Sequence, residues 1–203
     1  MKRVKLSVVI DERQDRLDEH TTRTLYCAVE IPEETNIGSI SKEIEDYLQQ
    51  NDIKDLDKMH FTSMHPTQRL QCVELIGKMN ITAKIYIYYD FREKGDVLKK
   101  VNLVKAVRAT QYKHRNKELT FYVEKADEYE GVIKKEAMTS DHFLSLLADC
   151  YCYVFATRLN KTTNTSPVNV LNEKMYSLIR HQIRLHTYMF GNKKIEDSRS
   201  NRL

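Results

Sequence analysis

The chain has 203 residues, a length typical of one domain, and a composition of 41% hydrophobic and 31% charged residues excludes an intrinsically disordered protein. The net charge is only +4, and no apolar run reaches the ~18 residues of a transmembrane helix, so no membrane protein is expected. The four cysteines form no CxxC pair, which argues against zinc or disulfides and favours buried thiols in a reducing cytoplasm.

The spacing of apolar residues predicts two strands at the start, over residues 4–12 and 23–32. An amphipathic helix is expected over 40–51 and a second helix over 66–80. Between them, residues 58–65 are compatible with a short strand or with an irregular connection. The first half therefore predicts an antiparallel pair of strands followed by helices.

The second half predicts two more strands, each preceded or followed by a helix. The predicted elements are a strand over 83–91, a basic helix over 94–117, a strand over 117–127, a largely buried helix from about Ser140, and a last helix over 170–190. This order predicts an α/β fold in which a mixed sheet is flanked by helices and an extra helix ends the chain.

Few residues are available for a flexible linker, because the chain has only 5 Gly and 3 Pro. We therefore expect one domain over residues 1–160, with a C-terminal helix within 166–190 packed on it. The polar tail 191–203 is predicted to be disordered.

Three acidic residues follow or interrupt strongly apolar segments. Asp11, with Glu12, closes the strand 4–12, and Asp90 closes the strand 83–91. Asp149 is the only charged residue of a run of fourteen. If the two strands are parallel neighbours, Asp11 and Asp90 lie at one sheet edge, where the buried helix could bring Asp149.

Converging carboxylates repel one another unless a cation neutralises them, and their oxygen atoms suit Mg²⁺ or Mn²⁺. Two such ions would support phosphodiester cleavage. The alternatives stay open: an Asp at a strand end is common in turns and helix caps, and Asp149 could pair with a buried Arg or Lys.

The helix 94–117 carries an excess of basic residues that could contact the phosphate backbone of nucleic acid, or could simply form a solvated face. The candidate contacts are Lys99, Lys100, Lys105 and Arg108.

The acidic motifs resemble those of the bacterial family known as domain of unknown function 3800. Its members open with a strand ending in Asp-Glu-Ser-Gly, which VVIDERQD matches at Asp11 and Glu12 only. KMHFTSMH matches an "E-I-H-F" type of stretch at His60, with Lys58 in the acidic place. RTLYCAVEIP matches the second strand, YIYYDF a strand ending in Asp, and LSLLADCYCYVF the closing helix with Asp149.

The resemblance implies a ribonuclease H-like fold with acidic residues on the first strand, a later strand and the last helix. It also implies metal-dependent nuclease chemistry in mobile-element or phage-defence settings. On this basis the metal ligands are Asp11, Asp90 and Asp149.

The departures from the family pattern leave the fourth carboxylate open. Lys58 would put a positive charge where a cation should lie, so Glu12 or Glu74 would have to supply the missing ligand. His60 could be a ligand, a proton shuttle or a structural imidazole.

The sequence therefore predicts a cytoplasmic nuclease that hydrolyses DNA or RNA with Mg²⁺ or Mn²⁺. The alternative is a catalytically inactive ribonuclease H-like subunit that binds nucleic acid or a protein partner. The strongly apolar C-terminal helix is compatible with docking on the core, with a homodimer or with a protein partner.

Overall fold

A computed structural model describes residues 4–51, 53, 60–91, 95–124, 126–160, 166–190 and 193–198, with the backbone alone for 90, 91, 95–99, 185–190 and 193–198. None of the helices in these ranges is long and apolar enough to cross a membrane.

Seven strands and five α-helices make up this part of the chain. The strands are β1 (Lys5–Arg16), β2 (Thr21–Pro32), β3 (Thr82–Phe91), β4 (Glu118–Val123), β5 (Met138–Ser140), β6 (Ile183–Phe190) and β7 (Lys193–Ser198). The helices are α1 (Ile37–Gln50), α2 (Pro66–Ile76), α3 (Gly95–Lys113), α4 (His142–Leu159) and α5 (Pro167–Ile179). Short 3-10 helices lie at Phe61–Ser63, Ala126–Tyr129 and Lys135–Ala137.

All seven strands belong to one mixed sheet in the order β5-β4-β1-β2-β3-β6-β7. β2 is antiparallel to both of its neighbours, β1 and β3, whereas β4 runs parallel to β1 and β6 parallel to β3. The predicted α/β class, with a mixed sheet and an antiparallel opening pair, is therefore confirmed.

Helices cover both faces of the sheet, and the alternation of side chains along each strand supplies a core to each face. α1, α2, α4 and α5 pack on the face that carries Val9 of β1. α3 packs on the opposite face, which carries Val8 and Ile10. Odd-numbered residues of β1 near the middle of the strand thus point toward α4.

α4 is buried almost all round, as its apolar sequence predicted. Its first turn is capped by Asp141, whose Oδ1 accepts a hydrogen bond from the Leu144 amide at 2.9 Å. The four cysteines are free and buried, as expected.

The prediction of one helix over 170–190 is wrong. α5 ends at Ile179, and β6 then pairs with β3, whose edge would otherwise present unpaired backbone groups. The turn between them is held by buried Gln182, whose Nε2 donates to the carbonyls of Ile76 and Met79 at 2.9 Å each. The apolar residues after Ile183 therefore belong to a strand.

The prediction of a disordered tail over 191–203 is wrong for residues 193–198, because β7 pairs antiparallel with β6 there. The rest of the tail lies outside the described residues. The amphipathic part that remains helical, α5, packs on α2 and α4 through Met175, Tyr176 and Ile179.

Two strand boundaries also differ from prediction. β1 continues to Arg16 because its polar second half still pairs with β2, so Asp11 lies inside the strand. β4 ends at Val123 instead of 127, and the chain turns into a 3-10 helix that leads to the short strand β5.

Candidate carboxylate site

Asp11 and Asp149 face each other between the sheet and α4. Asp11 shares the odd-numbered face of β1 with Val9, and the backbone carbonyl of Asp11 lies 3.9 Å from Cys152 Sγ on α4. Asp149 lies one residue from the buried Cys150, and its side chain is only 14% exposed. The lone carboxylate of the apolar helix therefore meets a second carboxylate across the interface.

Burial is the main electrostatic influence on both groups. It raises the pKa of Asp11 well above its ordinary value, and the charge of Asp149 raises it further. Burial also raises the pKa of Asp149, although the Phe61 amide donates a hydrogen bond to its Oδ2 at 2.7 Å. The pair has more negative charge than its surroundings compensate, as expected of a site that binds a cation or a proton.

Glu124 is a third carboxylate, at the edge of this pair, and it was not among the predicted site residues. β1 and β4 pair in parallel as far as Val9 and Tyr122, so Glu124 is level with Asp11 on the neighbouring strand. Its charge contributes to the raised pKa of both Asp11 and Asp149. Its Oε1 lies 3.7 Å from His142 Nδ1 at the start of α4.

Asp90 does not share this position. β2 lies between β1 and β3, and the register places Asp90 opposite Thr22, which is itself opposite Arg16. The backbone of Asp90 is thus level with a residue five places beyond Asp11, about 17 Å along the strand. The premise that the strands of Asp11 and Asp90 are neighbours was wrong, because the parallel neighbour of β1 is β4.

The two candidates for a fourth carboxylate lie elsewhere. Glu74 is 42% exposed on α2, and its Oε1 lies 3.8 Å from Lys174 Nζ on α5. Glu12 follows Asp11 in β1, so the alternation of side chains along the strand directs it to the opposite face, although its charge still contributes to the raised pKa of Asp11 after burial and Asp149. Neither position brings the side chain to the interface between β1 and α4.

His60 lies beside the pair. Its Nδ1 is 4.0 Å from Asp149 Oδ2, and its side chain is 54% exposed. The ring is thus accessible to a ligand bound at the carboxylates. Lys58, the residue that departs from the family pattern, lies outside the described residues.

The basic helix lies on the other side of the sheet. Within α3, Lys100 and Arg108 are exposed, and Lys105 Nζ lies 6.0 Å from the ring centroid of Tyr88. The side chain of Lys99 lies outside the described residues. Because α3 and α4 cover opposite faces, the sheet separates these cations from Asp11 and Asp149.

A different basic surface adjoins the carboxylates. Arg13 follows Asp11 on the same face of β1, and Tyr153 follows Asp149 by one turn of α4. Arg69 reaches the same tyrosine ring from α2. No motif singles out these residues, and only the alternation of β1 and the helical period of α4 place them next to the acidic pair.

The described residues contain no group of three or more His, Cys, Asp or Glu side chains arranged to hold a metal ion. The site consists instead of two half-buried carboxylates, Asp11 and Asp149, with Glu124 and His60 at its edge. Their donor atoms are predominantly oxygen, a set that suits hard divalent cations over zinc.

Comparisons with models of protein families, with curated proteins and with solved structures find no match to this chain.

Proposed function

We propose that the protein is a ribonuclease H-like nuclease that hydrolyses phosphodiester bonds of DNA or RNA at Asp11 and Asp149. The observation that carries the proposal is the approach of these two half-buried carboxylates between β1 and α4, with the pKa of both raised. Removing two acids from water side by side is costly, and function is a common reason for such a cost.

The resemblance to the domain of unknown function 3800 family supports this proposal. Its implied pattern places acidic residues on the first strand, on a later strand and on the last helix. Asp11 matches the first place, Asp149 lies on α4, which is followed by α5, and Glu124, directly after β4, is the candidate for the second place.

The carboxylates fit Mg²⁺ or Mn²⁺, because Mg²⁺ is commonly bound through one or two carboxylates together with phosphate oxygens of the substrate. Asp11 and Asp149 would hold the ion, and its positive charge would stabilise the ionised carboxylates against the burial and neighbouring negative charge that raise their pKa. When bound, such an ion polarises the phosphate and makes water a better nucleophile.

The chain's own groups have separate tasks in this scheme. Asp149 is kept in orientation by the Phe61 amide, so its second oxygen points away from that hydrogen bond. His60, exposed and 4.0 Å from Asp149, is positioned to exchange a proton with a bound substrate. Its place at the rim makes it the candidate for protonating the leaving oxygen.

The test is cleavage of single- and double-stranded DNA and RNA in Mn²⁺ or Mg²⁺ by wild type, Asp11→Asn, Asp149→Asn and Glu74→Gln. We expect either Asp variant to lose at least about 100-fold in rate, because loss of a group that only orients a metal ligand already costs about 10- to 100-fold. Glu74→Gln removes the same charge from the exposed ion pair with Lys174 and should cut like wild type.

A second function has its own support. The lack of a three-ligand group among the described residues is compatible with a subunit that binds nucleic acid or a protein partner without cutting. If wild type cuts no substrate and calorimetry detects no Mn²⁺ binding, the nuclease proposal fails and this alternative takes its place.

A further inference from the structure

Two arginine side chains converge on the ring of Tyr153, one helical turn beyond Asp149. The Cζ atoms of Arg13 and Arg69 lie 5.1 Å and 4.8 Å from the ring centroid. Arg69 Nη1 also donates a hydrogen bond to the tyrosine hydroxyl. The Phe61 ring supports Tyr153 from 5.2 Å. Arg13, Arg69 and Tyr153 form the arginine–tyrosine cluster.

The cluster carries more positive charge than its partners neutralise. Asp15 is shared by two arginines, with Arg13 Nε at 2.9 Å and Arg23 Nη2 at 2.7 Å. Among the described residues Arg69 has no carboxylate within ion-pair distance, and its buried Nε has no hydrogen-bond acceptor. A buried N–H without an acceptor is rare in a folded protein, and a ligand is one way to satisfy it.

The arginine–tyrosine cluster and the pair formed by Asp11 and Asp149 lie next to each other along the interface between β1 and α4. Arg13 lies two residues beyond Asp11 in β1, and Tyr153 lies four residues beyond Asp149 in α4. Both spacings correspond to about 6–7 Å, so Arg13 faces Tyr153 in the same way as Asp11 faces Asp149. Burial raises the pKa of Asp149, and the Arg13 charge is near enough to oppose part of that rise. The distance between the arginine–tyrosine cluster and the carboxylate pair is comparable to the distance between neighbouring phosphates in one nucleic-acid strand.

We propose that the arginine–tyrosine cluster binds a backbone phosphate of the nucleic acid, adjacent to the phosphate held at Asp11 and Asp149. Guanidinium groups suit this task because they donate paired hydrogen bonds to phosphate oxygens. The Tyr153 ring holds both groups in place by cation–π contact, which reduces the entropy lost on binding. The inference rests on the proposed nucleic-acid substrate.

The test is binding of fluorescently labelled single- and double-stranded DNA and RNA oligonucleotides in EDTA, followed by anisotropy at several salt concentrations. The variants are Arg13→Gln and Arg69→Gln, with Arg180→Gln as the control that removes the same charge from the exposed C-terminal end of α5. We expect each cluster variant to weaken binding about 5- to 10-fold and to reduce the salt slope by about one phosphate contact, while Arg180→Gln binds like wild type.

Because Arg69 is partly buried, its loss could disturb folding, and Arg13 is the more decisive position. Arg13 is 26% exposed, and Asp15 keeps Arg23 as a partner after Arg13→Gln. Arg13→Lys retains the charge without the planar fork and should bind between wild type and Arg13→Gln. Unchanged affinity and salt slope in Arg13→Gln, or a larger loss in Arg180→Gln, would overturn the inference.

Failure of this inference is distinguishable from failure of the nuclease proposal. Binding in EDTA that Arg13→Gln weakens, without cleavage in Mn²⁺, supports the cluster and rejects the nuclease. Cleavage by wild type with oligonucleotide binding unaffected by Arg13→Gln supports the nuclease and rejects the cluster. Absence of binding by wild type to every oligonucleotide rejects the cluster as well.

Discussion

At the residue scale, the cost of the acidic pair should be measurable as stability. The pKa of Asp11 in the folded protein is raised above its ordinary value of 3.8, mainly by burial. Between pH 3.8, the ordinary pKa, and the higher pKa of Asp11 in the folded protein, the folded state therefore binds more protons than the unfolded state. The free energy of unfolding falls as the pH rises through the folded-state pKa. Neutral pH lies on the less stable side of this change.

Asp11→Asn should therefore stabilise the metal-free protein at pH 7, by about 1–3 kcal/mol, the usual range for relieving an incompletely compensated buried polar group. The free energy of unfolding of Asp11→Asn should also change less with pH, above about pH 4, than that of wild type. Urea unfolding in EDTA at several pH values measures both effects. Glu74→Gln, at an exposed ion pair, should change stability by less than about 0.5 kcal/mol. A destabilised Asp11→Asn would mean that the carboxylate is well compensated.

At the scale of elements, α2 ends where α5 passes very close to it. A Cβ added to Gly77 would lie 2.9 Å from the Leu178 carbonyl oxygen and 3.2 Å from that of Val73. Both contacts are with backbone, which cannot rotate away as a side chain would. The absence of a side chain at Gly77 is therefore what lets the two helices approach.

Gly77→Ala should destabilise the protein by about 1–3 kcal/mol, the usual cost of overpacking, despite the better helix propensity of alanine. Gly38→Ala in the first turn of α1 is the matched control, because its Cβ would come no closer than 3.4 Å to the Asn36 side chain. That variant should be neutral or slightly more stable. Urea unfolding of both variants tests the prediction, and equal stability of the two would contradict it.

The positions of strands and helices along the chain were more predictable than which of them pair with one another. Strands such as β2 and β3 were recognised because β-branched and aromatic residues form apolar runs between polar segments. β6 was missed because the apolar residues around Ile179 and Ile183 fit helical and extended spacing equally well over so short a stretch. What decides between them is the open edge of β3, a long-range feature with no local signal.

The absence of a local signal for strand pairing also explains which residues of the candidate site were predicted correctly. Asp11 and Asp149 could be selected from the sequence because charge in an apolar segment is a local signal. Asp90 and Glu124 carry the same signal, each at the end of an apolar strand, and only sheet order separates them. β4 is the parallel neighbour of β1 and β3 is not, so Glu124 reaches the site. Strand order is set by the packing of the whole chain, which local patterns do not encode.

At the scale of the whole molecule, the sheet divides the charges into two surfaces. The face covered by α4 carries the acidic pair and the arginine–tyrosine cluster, and the face covered by α3 carries Lys100 and Arg108. A nucleic acid bound at the carboxylates, as proposed, would therefore meet arginines from β1 and α2 before it met the basic helix. This arrangement makes α3 the weaker candidate for a nucleic-acid contact in the proposed reaction.

Since a cation held between β1 and α4 would bind the folded state alone, it should stabilise the entire fold against unfolding. At a free concentration 100 times its Kd, Mn²⁺ would add about 2.7 kcal/mol, which corresponds to roughly 5–10 °C in Tm for a chain of this size. Wild type should show this rise in Mn²⁺ and lose it in EDTA, whereas Asp11→Asn and Asp149→Asn should show little change. Glu74→Gln should respond like wild type, because its carboxylate lies on the α2–α5 surface. An equal rise in all four proteins would place the ion elsewhere, and no rise in any would leave the carboxylate pair without a divalent cation.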